Sequence, residues 1–309
     1  MKRLALWSLQ IGLTIVVTWF IFDRVGVDVS QLRNLDRSVW QLDLIPLTIS
    51  CFILAGGYVL SAALWGWIVC DLGGSALPLL TSVRVFLIAN LGRYIPGKVW
   101  QIAGLAYLAK AEGIPVTVAT GAAILGQGVS LTAATLIGIG TLFGGNELWW
   151  TLTWPSSMVA FGLAFAIIGI VSMPRSFHRI VKAWFQLMRS ELPEKLGQRR
   201  NLGFRWLVLY VLNWGIYCTA FWLLYLSFGE GGTFMQLGPA FAASYVAGYL
   251  AIFAPAGAGI REGVLLILLQ PVMATETALV FAIITRLWTT TTELIPVLVL
   301  VVRQRIVPA

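Results

Sequence analysis

Six stretches of this sequence are apolar over the length that a lipid bilayer demands: residues 4–22, 44–70, 116–143, 152–173, 204–228 and 275–302. A hydrocarbon core about 30 Å thick takes roughly 20 helical residues to cross. A backbone in that medium must satisfy its own N–H and C=O groups, which an α-helix does within one segment. Of the 309 residues, 59% are hydrophobic and 11% are charged, against about 25% charged in soluble domains. The sequence therefore reads as an all-α polytopic membrane protein, a single transmembrane domain over 1–309.

Two further apolar regions, 79–112 and 237–270, are interrupted near their middles. The first break reads Gly92-Arg93-Tyr94-Ile95-Pro96-Gly97-Lys98, and the second Ala254-Pro255-Ala256-Gly257-Ala258-Gly259-Ile260-Arg261-Glu262-Gly263. Loop charge decides whether each is a broken crossing or a hairpin. The connector 174–203 carries seven Lys or Arg against two Glu, so it belongs on the cytoplasmic side, as do Lys2 and Arg3 at one terminus and Arg303 and Arg305 at the other. Loops 144–151 and 229–236 hold no Lys or Arg and fit outside. Only two hairpins, the first opening inward and the second outward, satisfy that pattern across six crossings. The arm from Lys98 to Glu112 spans about 22 Å of helix, past the midplane of the core. The two tips are thus expected to meet near the membrane centre.

Pro96 and Pro255 are 159 residues apart. At that offset Gly56, Tyr58, Leu91, Gly104 and Thr132 fall on Gly215, Tyr217, Leu250, Gly263 and Thr291, and helix 44–70 falls on the crossing 204–228. Matching element boundaries with opposite orientation describe an inverted-topology repeat, one half about 1–143 and the other about 152–305. The link, 174–203, opens with Phe177, Ile180, Val181, Trp184, Phe185 and Met188 at helical spacing among basic residues, and reads as a basic amphipathic connector on the cytoplasmic surface.

Ionisable groups inside membrane segments are costly and mark function by default. The breaks carry Arg93, Lys98, Arg261 and Glu262, and the last helix carries Arg286 and Glu293. Gln127 stands at the position equivalent to Arg286. Helix ends after a break expose unpaired N–H groups, so Arg93, Lys98, Arg261 and Arg286 around them would form an anion site. Glu262 is expected to pair with one of the arginines, and Glu293 is a candidate for proton coupling. Gly92, Pro96, Gly97, Pro255, Gly257, Gly259 and Gly263 shape the breaks. Arg84, low in its arm, reads as a structural or interfacial cation. No catalytic residue, metal site or cofactor is expected: the one histidine, His178, lies on the surface helix, and Cys51, Cys70 and Cys218 sit in apolar runs.

The stretches Asn90-Leu91-Gly92-Arg93-Tyr94-Ile95-Pro96-Gly97-Lys98-Val99-Trp100 and Pro255-Ala256-Gly257-Ala258-Gly259-Ile260-Arg261-Glu262-Gly263 resemble the two signatures of the lysylphosphatidylglycerol synthase/flippase transmembrane family, over nearly the whole chain. Ala256 stands where that family usually has glycine, and Gln127-Gly128 where it often has an acidic residue followed by arginine. The resemblance implies a module that moves charged or glycosylated lipids between leaflets in a bacterial cytoplasmic (inner) membrane. The sequence ends at Ala309, after its last helix, so the family's aminoacyl-transferase activity is not expected here. The expected ligand is an anionic or glycosylated phospholipid, a prenyl-phosphate lipid or another lipid-linked glycan. Anionic membrane lipids surround the chain, no nucleic acid is involved, and a second copy or an envelope glycosyltransferase is a candidate protein partner. The alternatives are an integral membrane transferase acting on lipid-linked substrates, with Glu262 and Asp71 or Asp23 as its acid/base supply, and a non-transporting scaffold for envelope-lipid enzymes.

Overall fold

The computed structural model describes residues 42–95, 99–143, 174–190, 201–229 and 231–306, and within them all regular structure is helical. Four helices are long: α1 (Leu44–Asp71), α4 (Val116–Gly138, continued by a 3-10 turn over Ile139–Phe143), α6 (Leu202–Leu226) and α9 (Thr275–Ile306). Between α1 and α4 lie two short helices, α2 (Leu79–Asn90) and α3 (Val99–Ala111). Between α6 and α9 lie another two, α7 (Phe234–Leu250) and α8 (Ile260–Leu269). The remaining helix, α5 (Pro174–Leu187), stands between the two sets of four. Segments Leu44–Asp71, Val116–Thr141, Leu202–Leu226 and Thr275–Leu300 are each long and apolar enough to cross a membrane. The expected crossings 4–22 and 152–173, with Pro96, Gly97 and Lys98, lie outside the described residues.

The order long, short, short, long thus occurs twice. Helices α1 and α6, related by the 159-residue offset, also pack on one another in space. The Asp43 amide donates to the Ser227 carbonyl at 2.7 Å, at the start of α1 and just past the end of α6. Further in, Asn213 donates to the Ser61 hydroxyl at 2.7 Å and the Tyr217 hydroxyl to the Gly57 carbonyl at 3.2 Å. Residue numbers rise along one helix as they fall along the other, so α1 and α6 pack antiparallel. Exchange continues outward: α4 packs on α6 and α7, while α9 packs on α1 and α2. Fully buried Trp65, Trp206, Trp214, Phe221 and Phe281 fill the joints between these helices. Large apolar side chains such as Phe52, Tyr107, Leu250 and Leu298 remain exposed on the outer faces, where a hydrocarbon solvent suits them.

Each short pair folds back on itself. After α2 the chain passes through a 3-10 turn over Leu91–Tyr94, and α3 returns against α2. Gly92 permits the reversal, because a Cβ there would lie 2.6 Å from the backbone of Trp100 and Gln101. Lower down, Arg84 of α2 forms an ion pair with Glu112, just after α3, the structural role expected of it. In the second pair, a 3-10 turn over Pro255–Gly257 joins α7 to α8. Gly257 (φ 72°) lies against Gly248 of α7, with 2.7 Å from its would-be Cβ to that backbone. The two turns touch one another. With 12, 13, 17 and 10 residues, the four arms are about 15–26 Å long.

Helix α5 splits its apolar stripe. Val181 and Phe185 are buried, and the Trp184 indole donates to the Thr117 carbonyl in the first turn of α4 at 3.1 Å. Ile180 and Leu187 stay exposed beside Arg179 and Lys182.

Ala256, the residue that departs from the glycine pattern, has φ 48° and ψ 24°. A Cβ in the left-handed region costs roughly 1–2 kcal/mol, and glycine removes that cost. Ala256→Gly is therefore expected to stabilise the chain by about 1 kcal/mol. Gly257→Ala, with no room beside Gly248, should destabilise it by about 1–3 kcal/mol. Thermal unfolding of the two purified variants in detergent checks this; equal shifts in the same direction would contradict it.

Candidate functional site

Where the two turns meet, the helices leave a cavity. Its wall draws on α1 (Tyr58, Ser61), α2 and its turn (Asn90, Arg93, Tyr94), α4 (Gln127, Ser130), α6 (Trp214, Tyr217), α7 (Phe241, Tyr245) and the second turn with its neighbours (Ala256, Arg261, Arg286). The sequence marked five groups that the fold brings together here: Arg93, Arg261, Arg286 and Gln127 face the cavity, and Glu262 backs it. Lys98 lies outside the described residues. Gly259 (φ 80°) caps α8, and Gly263 is buried in that helix.

The three arginines differ in their partners. Arg93, at the tip of the first pair, forms an ion pair with the buried Glu293 of α9, and the Tyr94 hydroxyl donates to the same carboxylate oxygen at 2.8 Å. Glu293, expected as a candidate coupling group, is the counter-ion of Arg93, a cation expected to bind ligand. Arg286 donates to the Ala256 carbonyl at 2.9 Å and stands 3.6 Å from Glu262. Glu262 also accepts the Gly259 amide at 2.7 Å, so one carboxylate caps α8 and faces an arginine from the next helix.

Arg261 is different. It is 8% exposed and has no carboxylate or hydrogen-bond partner among the described residues, and its Nη2 is buried. The guanidinium lies over the faces of Phe241 (4.9 Å) and Tyr245 (5.6 Å). Such contacts return about 0.5–2 kcal/mol, less than the several kcal/mol that dehydrating a cation costs. The Gln127 amide nitrogen is likewise buried without a partner. An unpaired cation and an unpaired neutral donor in one cavity make a site for an anion.

A polar seam the sequence reading did not single out runs behind them. Tyr58 donates to the Thr289 carbonyl at 3.3 Å, and Ser61 bonds Tyr217 at 2.7 Å. Tyr58 and Tyr217, one repeat offset apart, stand with ring centroids 5.7 Å apart. Their match at that offset was the available signal; Ser61 and Asn213 gave a weaker one, as polar residues in long apolar runs. Asp71 is not among the lining residues, and no cluster of three or more His, Cys, Asp or Glu able to hold a metal occurs among the described residues.

Comparison with known proteins agrees with the two break motifs. Among curated proteins no match is found. The sequence model of the family described as the lysylphosphatidylglycerol synthase TM region matches residues 7–296, nearly the whole chain. With its long apolar helices and its paired chain breaks, this multi-pass helical membrane protein belongs to the lysylphosphatidylglycerol synthase transmembrane-region family.

Proposed function

We propose that this chain is a lipid flippase that moves an anionic or glycosylated phospholipid, or a prenyl-phosphate lipid, between leaflets. The observation that carries this reading is Arg261, a buried guanidinium on the wall of a central cavity with no salt bridge among the described residues, in a family named for a membrane-lipid protein. The headgroup enters the cavity against Arg261 and Gln127, while its hydrocarbon chains stay in the bilayer. The two carboxylates near the site, Glu262 and Glu293, are both engaged with arginines, which favours transport over transfer chemistry needing a free acid/base pair.

The short pairs α2–α3 and α7–α8 act as re-entrant hairpins entering from opposite sides, within six crossings arranged as an inverted-topology repeat. The antiparallel packing of α1 and α6 and the contact between the two turns support that arrangement. Rocking of one half against the other opens the cavity to each leaflet in turn. The chain resides in a bacterial cytoplasmic membrane with both termini and the α5 connector on the cytoplasmic side.

Topology is read by cysteine accessibility in a variant whose Cys51, Cys70 and Cys218 are replaced by serine. Lys110→Cys is expected to react with a membrane-impermeant maleimide from the cytoplasmic side, and Ala274→Cys from the outside. Labelling of both from one side would sink the opposed hairpins. Transport is read in proteoliposomes as loss of protection of a fluorescent anionic lipid from an external quencher. Arg261→Gln should slow it by about tenfold or more, the usual worth of a hydrogen bond to a charged group. Arg84→Gln, outside the cavity wall, should leave it near wild type. Equal rates for wild type and Arg261→Gln would rule out the central site.

A further inference from the structure

Among the described residues the cavity wall presents three arginines and no carboxylate. Two of these cations are neutralised from behind. Glu293 pairs with Arg93, and Glu262 stands 3.6 Å from Arg286. Arg261 forms no salt bridge among the described residues and lies over the rings of Phe241 and Tyr245, which attract a cation but carry no net charge. The described groups facing a ligand thus sum to a single positive charge.

We infer that the cavity selects its ligand by charge number, taking a group with one negative charge, of the phosphodiester type, and that Glu262 and Glu293 are the residues that set this limit. The inference rests on the reading that an anionic headgroup enters this cavity. The cost of dehydrating an ion grows with the square of its charge, whereas the attraction returned by one cation grows only linearly. A dianionic phosphomonoester or a pyrophosphate therefore loses more on entry than Arg261, the one cation without a salt bridge among the described residues of the wall, returns. A phosphodiester matches it, with the neutral Gln127 amide supplying a second donor without further charge. Three bare arginines at one site would attract multivalent anions and repel one another; the two glutamates remove both effects.

Glu262 offers a clean test. Its Oε2 accepts the Gly259 amide at 2.7 Å while Oε1 faces Arg286. Glutamine keeps one acceptor for the cap and puts a neutral NH2 in place of the oxygen that faces Arg286, so Arg286 loses its counter-charge. The full chain is reconstituted in nanodiscs of zwitterionic lipid, and ligand affinity is measured by calorimetry at about pH 8, where a phosphomonoester carries close to two charges. The probes are short-chain phosphatidylglycerol (a diester), short-chain phosphatidic acid (a monoester), dimethyl phosphate and inorganic phosphate. Wild type is expected to prefer the diester lipid over the monoester lipid by on the order of tenfold, and Glu262→Gln to erase or reverse that preference. Glu293→Gln, which frees Arg93, should shift the preference in the same direction and decides the matter where Glu262→Gln does not fold.

Tighter binding of phosphatidylglycerol than of dimethyl phosphate assigns the ligand to a lipid headgroup; equal binding assigns it to a free anion and overturns the lipid part. A charge preference unchanged in both glutamine variants, with Arg261→Gln still abolishing binding, overturns the charge-selection inference and leaves the transport reading standing. Absence of binding in wild type, indistinguishable from Arg261→Gln, overturns the transport reading itself.

Discussion

A guanidinium cannot lie in an apolar interior without compensation, and the centre of this molecule is organised around that constraint. The pair between Arg93 and Glu293 joins residues 200 positions apart in sequence. It fastens the tip of the first short helical pair to the last long helix. Losing one member of a buried pair typically costs about 3–5 kcal/mol, because the other charge is left alone. The second tip is held in a related way: Glu262 caps α8 and faces Arg286, whose guanidinium also holds the Ala256 carbonyl. Each tip is thereby tied to α9, and the cavity between them keeps its shape.

Close approach of backbones makes these ties possible. Gly92 lets α3 begin directly against the turn that precedes it, and Gly248 meets Gly257 with no side chain between them. Bulkier residues would push the turns apart and separate the arginines from their carboxylates. The aromatic residues of α6 and α7 fill the space around the tips: Phe221 stacks on Phe241 at 4.6 Å, and Trp214 meets Tyr245 edge-on at 4.9 Å. Two of these rings, Phe241 and Tyr245, then serve as the platform for Arg261. Packing and site are in this sense one structure. The faces that hold the helices together also hold a cation that forms no salt bridge among the described residues.

Much of the architecture was legible in residue order. Helix ends fell close to expectation, as with α1, expected over 44–70 and found over Leu44–Asp71, because the switch from apolar to polar residues and the capping Asp43 mark them locally. The short arms were visible because proline and glycine interrupt a helix wherever they occur in its interior. Beyond the expected pairing of Glu262 with an arginine, partnerships were not visible. The sequence counted Arg93 among the ligand-binding cations and Glu293 as a separate coupling group, and nothing local ties one to the other. Arg84 with Glu112 and Arg93 with Glu293 are equally silent in sequence, though the first is a tie between neighbouring arms and the second spans most of the chain. In α5 periodicity identified an apolar stripe, but only packing distinguishes Val181 and Phe185, which are buried, from Ile180 and Leu187, which are not.

The sequence by itself determined that this chain is helical, that it lives in lipid and that its cations gather at two chain breaks. Those properties follow from composition and from the length of apolar runs, which act through local hydrogen bonding and transfer from water. Tertiary structure decided which of the described cations is left without a salt bridge. Charge compensation depends on distances of a few ångströms between residues far apart in the chain. Three arginines that look alike in sequence become two paired with carboxylates and one, Arg261, on the cavity wall with no salt bridge among the described residues.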